Sequence, residues 1–267
     1  MTEEVLDLLN ACLGNRYEVI EEIAPADRAN RFLARDLTRG CDVSINVLNR
    51  NNSDWADADR FLQELIPYAG VDHPQLTTVV DGGVFAGRAF WVSLRPHGEL
   101  LDHRLRRHRP LPTDAAVEIA LDLTVPVGYL HDYGLVHGSL TLDSILLLES
   151  QTLVADAGVM RAMNLRHRDC DSGIAMFSPF NWDLPDWPEQ DHRSDIYSLG
   201  AMLYEMISAK SPWLESHIVR PGTSFPPLPS RVPEPLRSTI YKALANNPDE
   251  RFSEISEFRT ALFGSAD

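Results

Sequence analysis

Positive charge is scarce in this chain of 267 residues: 24 Lys and Arg stand against 39 Asp and Glu, a formal net charge of −15. Such a deficit argues against nucleic acid, whose phosphates need a basic patch, and against an anionic membrane surface; basic or neutral partners fit it better. Cysteine is scarce too. Cys12, Cys41 and Cys170 lie far apart with no CxxC pair, so neither a disulfide framework nor a zinc site is indicated, and a reducing cytoplasm suits them. Long apolar runs are missing as well. The most apolar stretch, Val117 to Leu130, is too short to span a bilayer and carries Asp122 and Pro126, and no charged-then-apolar leader opens the chain. Internal repeats and long low-complexity tracts do not occur. What is present is 44% apolar content, enough for one large domain or two small lobes with substantial cores, alone or within a longer chain.

Residues 1 to 16 start with Glu3 and Glu4, favourable at a helix N-terminus, and continue with Val5, Leu6, Leu8, Leu9, Cys12 and Leu13 as far as Gly14. They read as a short amphipathic helix packed on its own domain rather than on a partner. From Tyr17 the pattern is strand-like: YEVIEEI, RFLARDL, a turn at Thr38 to Gly40, then CDVSINVL, three strands of an antiparallel sheet. Trp55, Phe61, Leu62, Leu65 and Ile66 recur at helical spacing over residues 54 to 70. Two more strands, LTTVVDGGVF and RAFWVSL, follow, and beyond them the pattern turns helical, with GELLDHRLRRH and then a helix capped by Thr113 in which Pro126 removes a hydrogen bond and should cause a bend. The cluster Arg104, Arg106, Arg107, His108 and Arg109 reads as a solvated face.

The frame made by Tyr17, Ile23, Phe32, Ala34, Asp36, Gly40, Val43, Ile45 and Leu48, followed by RFLQE, His73-Pro74, LHDYGLVH, the loop from Leu135 to Leu148, and DHRSDIYSLGAMLYEMISAKSPW, resembles bacterial-type serine/threonine protein kinases. It spans about residues 17 to 262. The implied fold is α+β and two-lobed: an N-lobe with a five-stranded antiparallel sheet plus helix C, and a mainly helical C-lobe. The implied division is a helical extension over 1–16, the N-lobe over 17–93, a hinge over 94–98 with Ser93 as gatekeeper, and the C-lobe over 99–267. Asp195 is expected to cap the central loop and Gly200 to allow close helix packing. A PxxPxR string at Pro226 to Arg231 is readable by an SH3-type groove, although kinases often carry prolines here as an ordered connection.

Against that frame the reactive positions differ. Ala24, Ala26 and Ala29 stand where the family has the glycines that let a backbone approach phosphates, and Pro25 removes a donor. Arg31 and Ser44 stand at the adenine ceiling. Asn46 occupies the place of the lysine that holds the α and β phosphates and pairs with the helix C glutamate, here Glu64. Glu64, having lost its lysine, should find another cation, swing outward or take up a proton, with Arg28 and Arg31 the first candidates. Gly138 replaces an arginine, Ser139 the catalytic aspartate and Ser144 the metal-binding asparagine, while His137, Asp156 and Gly158 are retained and Ala157 replaces a phenylalanine whose space Tyr68 could fill. Phe180 replaces the glutamate that ordinarily pairs with the arginine at 251.

Of the parts that phosphoryl transfer needs, only Asp156 survives, and a lone carboxylate is a poor magnesium site. The resemblance with these losses implies a catalytically inactive kinase homologue, a pseudokinase, that binds a protein partner as a scaffold or allosteric regulator. No metal or other cofactor is expected, with ATP and magnesium binding weak or absent. The alternatives are an atypical ATP-dependent phosphotransferase and a kinase-like domain that binds nucleotide without metal.

Overall fold

The computed structural model describes residues 2–25, 29–48, 55–77, 79–85, 87–95, 98–138, 140–159, 162, 191–210, 212 and 225–265. The chain divides into two units, one of residues 1–72 and 77–97, the other of residues 73–76 and 98–267.

In the first unit, alternating apolar residues build strands β1 (Tyr17–Pro25), β2 (Ala29–Asp36) and β3 (Cys41–Leu48), joined by β4 (Val79–Phe85) and by β5 (Arg88–Leu94), whose Arg88 to Ser93 are all buried. They form one antiparallel sheet in the order β1-β2-β3-β5-β4. Successive side chains on a strand point to opposite faces. Phe32, Ala34, Val43, Ile45, Val47, Phe90 and Val92 therefore share one face, where they form a core with Val5 and Leu9 of helix α1 (Thr2–Leu13). Leu33, Ser44, Asn46, Trp91 and Ser93 share the other, where helix α2 (Trp55–Ala69) packs on β4 and β5 and its Phe61 meets Trp91. Asp36 closes the β2–β3 turn: burial raises its carboxyl, but Arg39 and the Thr38 and Arg39 amides hold it below the ordinary carboxylate range.

The second unit is mainly helical. A short sheet, β6 (Glu99–Leu100), β7 (Ile145–Leu147) and β8 (Thr152–Val154), accompanies helices α3 (Leu101–Arg107), α4 (Thr113–Asp132), α5 (His192–Ser208), α6 (Glu234–Ala243) and α7 (Ile255–Phe263). Helix α5 is buried over most of its length, and α4, α6 and α7 pack on it. A Cβ on Gly200 would stand 2.8 Å from the Cβ of Ala243, so only glycine lets α5 and α6 approach so closely.

Residues 73–76 belong to this unit, although they follow α2 in sequence. Gln75 accepts from the Val154 amide at 2.8 Å and donates to Asp122 Oδ1 at 2.7 Å, and Asp122 Oδ2 accepts from the Thr152 amide. The acid inside the apolar helix thus ties three segments together, which the sequence pattern did not reveal.

Two expectations change in detail, and two hold. Glu99 and Leu100 pair with β7 before the helix begins. Pro112, not Thr113, is the N-cap of α4 and makes no side-chain cap bond. The arginine cluster is a solvated face: Arg104 and Arg107 share Glu99 and Arg106 pairs with Asp102, and all three side chains are exposed. The PxxPxR string is the ordered connection: Leu228 and Val232 are buried, the Pro226 carbonyl accepts from Tyr204, and Arg231 donates to the Ile207 carbonyl. No described helix is long and apolar enough to cross a membrane.

Candidate functional site

In the first unit the decisive register is the row Arg31, Asn46, Trp91 across β2, β3 and β5. Asn46 is buried at 1% exposure. Its Oδ1 accepts from Arg31 Nε at 3.0 Å and from Ser44 Oγ at 3.4 Å, and its Nδ2 donates to the Ser44 carbonyl at 3.4 Å. The residue at the lysine position thus spends its amide on its own sheet. Arg31 does not become the cation for Glu64: half-buried Glu64 on α2 has no ion pair among the described residues. Arg28, the other candidate, lies outside the described residues, as does Ala26. Ala24 and Pro25 continue β1, paired with Arg31 and Asn30 after a register irregularity between Glu22 and Ala24, so the described ends of the phosphate-loop segment belong to the antiparallel ladder. Ala29 is buried at the start of β2, and Ser44 faces Ser93 on β5.

In the second unit, buried Asp195 in the first turn of α5 organises the central loop. Its Oδ2 accepts from the His137 amide at 2.8 Å, its Oδ1 from the Gly138 amide at 2.8 Å, and the His131 ring stands at 2.9 Å. Carboxylate oxygens only accept, so His131 Nε2 carries the proton. His137 Nε2 lies 2.9 Å from the Ala155 carbonyl and therefore donates, while the Gly158 amide donates to the His137 carbonyl at 3.1 Å. The imidazole is fully buried, and that burial lowers its pKa despite the pull of Asp195 and the Ala155 carbonyl. These two bonds bracket Asp156, whose backbone sits in the left-handed region at φ 63°. For a non-glycine residue that conformation is strained and persists only where neighbours impose it.

Ser144 closes a 3-10 turn, Leu142–Ser144. Its Oγ donates to the Thr141 carbonyl at 2.8 Å and accepts from the Thr141 amide at 3.0 Å, and its carbonyl accepts from the Ala155 amide. The hydroxyl at the metal-ligand position is engaged with its own turn. Ser139 lies outside the described residues, and so do Phe180 and most of the activation segment. Among the described residues, no cluster of three or more His, Cys, Asp or Glu could hold a metal ion. The donor set does not fit a nucleotide–magnesium complex: one carboxylate remains, the second ligand is a hydroxyl engaged elsewhere, and the lysine is an amide.

With phenylalanine at 180 in place of the usual glutamate, Arg251 is satisfied by uncharged groups among the described residues. Nε donates to the Ala245 carbonyl at 2.8 Å, the two terminal nitrogens to the Arg193 and Asn246 carbonyls at 3.2 and 3.3 Å, and the guanidinium lies 4.7 Å over the Tyr197 ring. Burial lowers its pKa to about 10.

Residues 24–258 match the family model described as protein tyrosine and serine/threonine kinase. Curated relatives include the probable serine/threonine-protein kinase PknB of Lactococcus lactis subsp. lactis, 27% identical over 262 residues that cover 92% of this chain and 41% of that protein. The serine/threonine-protein kinase PknB of Mycolicibacterium smegmatis is 27% identical over 267 residues, 94% of this chain and 43% of its own length. The probable serine/threonine-protein kinase CPE1738 of Clostridium perfringens is 24% identical over 265 residues, 94% and 38%. The chain spans about two fifths of the length of these relatives.

Proposed function

The chain belongs to the protein tyrosine and serine/threonine kinase family, and on that premise we propose that it is a catalytically inactive, kinase-like domain that acts by binding a protein partner, as a scaffold or allosteric regulator. The observation that carries this reading is the engagement of Asn46 with Arg31 and Ser44. Phosphoryl transfer rests on positioned positive charge, two metal-holding groups and a base for the substrate hydroxyl. A general base alone is commonly worth about 10² to 10⁴ in rate. Asn46, Ser139 and Ser144 supply neither that base nor the charge, and the internal bonds of Ser144 support the same view. With a net charge of −15, the partner surface is basic or neutral protein, and a cytoplasmic setting accords with the scarcity of cysteine.

Transfer of labelled γ-phosphate from ATP, assayed with magnesium and with manganese, tests the proposal. No transfer above background supports it; transfer abolished by Asp156→Ala overturns it. One observation favours a second reading, in which nucleotide binds without metal: Arg31 brings a guanidinium beside the position from which the lysine is missing. Calorimetric titration with ATP, with and without metal, separates the two. Affinity capture followed by mass spectrometry then identifies the partner.

A further inference from the structure

In an active kinase the lysine–glutamate pair ties helix α2 to the sheet. Here residue 46 is an amide occupied within the sheet, and Glu64 has no ion pair among the described residues, yet α2 lies firmly on β4 and β5. Among the described residues, the buried face of the helix is built on Phe61, Leu65 and Tyr68, which are 2%, 3% and 6% exposed. The Phe61 ring lies 5.3 Å from the Trp91 ring at 52°, a tilted contact of the kind aromatic pairs prefer. Trp91 is the residue of β5 opposite Asn46, on the face where the lysine stem would run. Opposite Trp91 on β4 is Gly82, where a Cβ would press on Leu62 at 3.2 Å, so the sheet leaves room for the helix as well. The indole N–H of Trp91 is buried with no partner among the described residues. An unmet buried donor costs free energy, so the tryptophan is there for the shape of its ring rather than for a hydrogen bond.

We propose that Phe61 and Trp91 form an apolar latch that replaces the ion pair and fixes α2 on the sheet independently of charge and of bound ligand. Ion pairs respond to salt, protonation and competing phosphates, whereas ring packing between two buried side chains responds to none of them. The first unit would then present a single setting of α2. This inference is independent of whether the domain transfers phosphate.

Hydrogen exchange followed by mass spectrometry over residues 55–69, on the whole chain, provides the test. Phe61→Leu and Trp91→Phe should each raise α2 exchange by about tenfold while α5 peptides keep their protection. The double variant should add little to the larger single effect, because the two rings share one contact. Global stability is not the readout, since Trp91→Phe also removes the unmet N–H. Glu64→Gln should leave α2 exchange unchanged. A salt series from about 0.05 to 1 M sodium chloride on the unsubstituted chain needs no variant to fold and should also leave it unchanged. Loosening of α2 by salt or by Glu64→Gln overturns the latch, and so does unchanged α2 protection in both ring variants.

Discussion

Arg31 and Asn46 face one another across β2 and β3, and the guanidinium Nε of Arg31 donates to Asn46 Oδ1 at 3.0 Å. The position matching the family's lysine holds an amide here, and the neighbouring strand supplies the donor that keeps its buried oxygen satisfied. Residue 46 is therefore part of the sheet's own polar network, and restoring a lysine there disrupts that network before it restores anything else.

Asn46→Lys should destabilise the first unit by about 2 kcal/mol, because a buried ammonium beside Arg31 meets a like charge and loses the amide contacts. Urea unfolding reads the loss. The substitution should not bring γ-phosphate transfer, since Ser139 and Ser144 still lack the base and the metal ligand.

Asp195→Ala should be among the most damaging single changes. It leaves the amides of His137 and Gly138 and the ring of His131 without their acceptor in a buried setting. With about 1 to 3 kcal/mol for each unmet buried donor, a loss of about 3 kcal/mol or more is expected in denaturant unfolding.

His137 sets a pH dependence. Burial lowers its pKa in the folded chain, so the unfolded chain binds a proton at higher pH than the folded one does. Its contribution is fully present above the unfolded value of about 6.5 and declines as pH falls below it, with a limiting slope of about 1.4 kcal/mol per pH unit. Urea midpoints of the unsubstituted chain and of His137→Gln, measured at pH 7.5 and 5.5, should converge on acidification. Parallel midpoints would show that the imidazole is not kept neutral.

Arg251→Met should cost about 2 to 4 kcal/mol, because the Ala245, Asn246 and Arg193 carbonyls lose their donors. Arg251→Lys should recover only part of this, since one ammonium cannot reach three carbonyls in a fork. Thermal unfolding ranks the three chains.

Gly200→Ala should destabilise by about 1 to 3 kcal/mol through overpacking against Ala243. Ala243→Gly in the same chain should recover most of that loss, a coupling that a double-mutant cycle measures directly.

Much of the fold is legible in the residues. Period-two alternation marks the strands from Tyr17 to Leu48, a short apolar run rich in β-formers marks Arg88 to Leu94, helical spacing marks Trp55 to Ala69, and the sequence from His192 to Ser208 marks the central helix. The reactive positions are legible too, as substitutions at Asn46 and Ser144. Asp122 and the fate of Arg231 are not, because an acid within an apolar helix and an arginine after prolines each fit several surroundings equally well.

The sequence by itself determined which elements form and which chemical groups are missing, because periodicity and side-chain type are local properties. Only the tertiary structure decided how those losses are absorbed. Arg31 reaches Asn46 across 15 residues, Asp195 gathers the His137 and Gly138 amides across 58 and 57, and Arg251 reaches the Arg193 carbonyl across 58. A hydrogen bond forms only within about 3 Å and near its favoured angle. Which long side chain meets which buried acceptor is thus fixed by strand register and helix packing, and local pattern does not specify it.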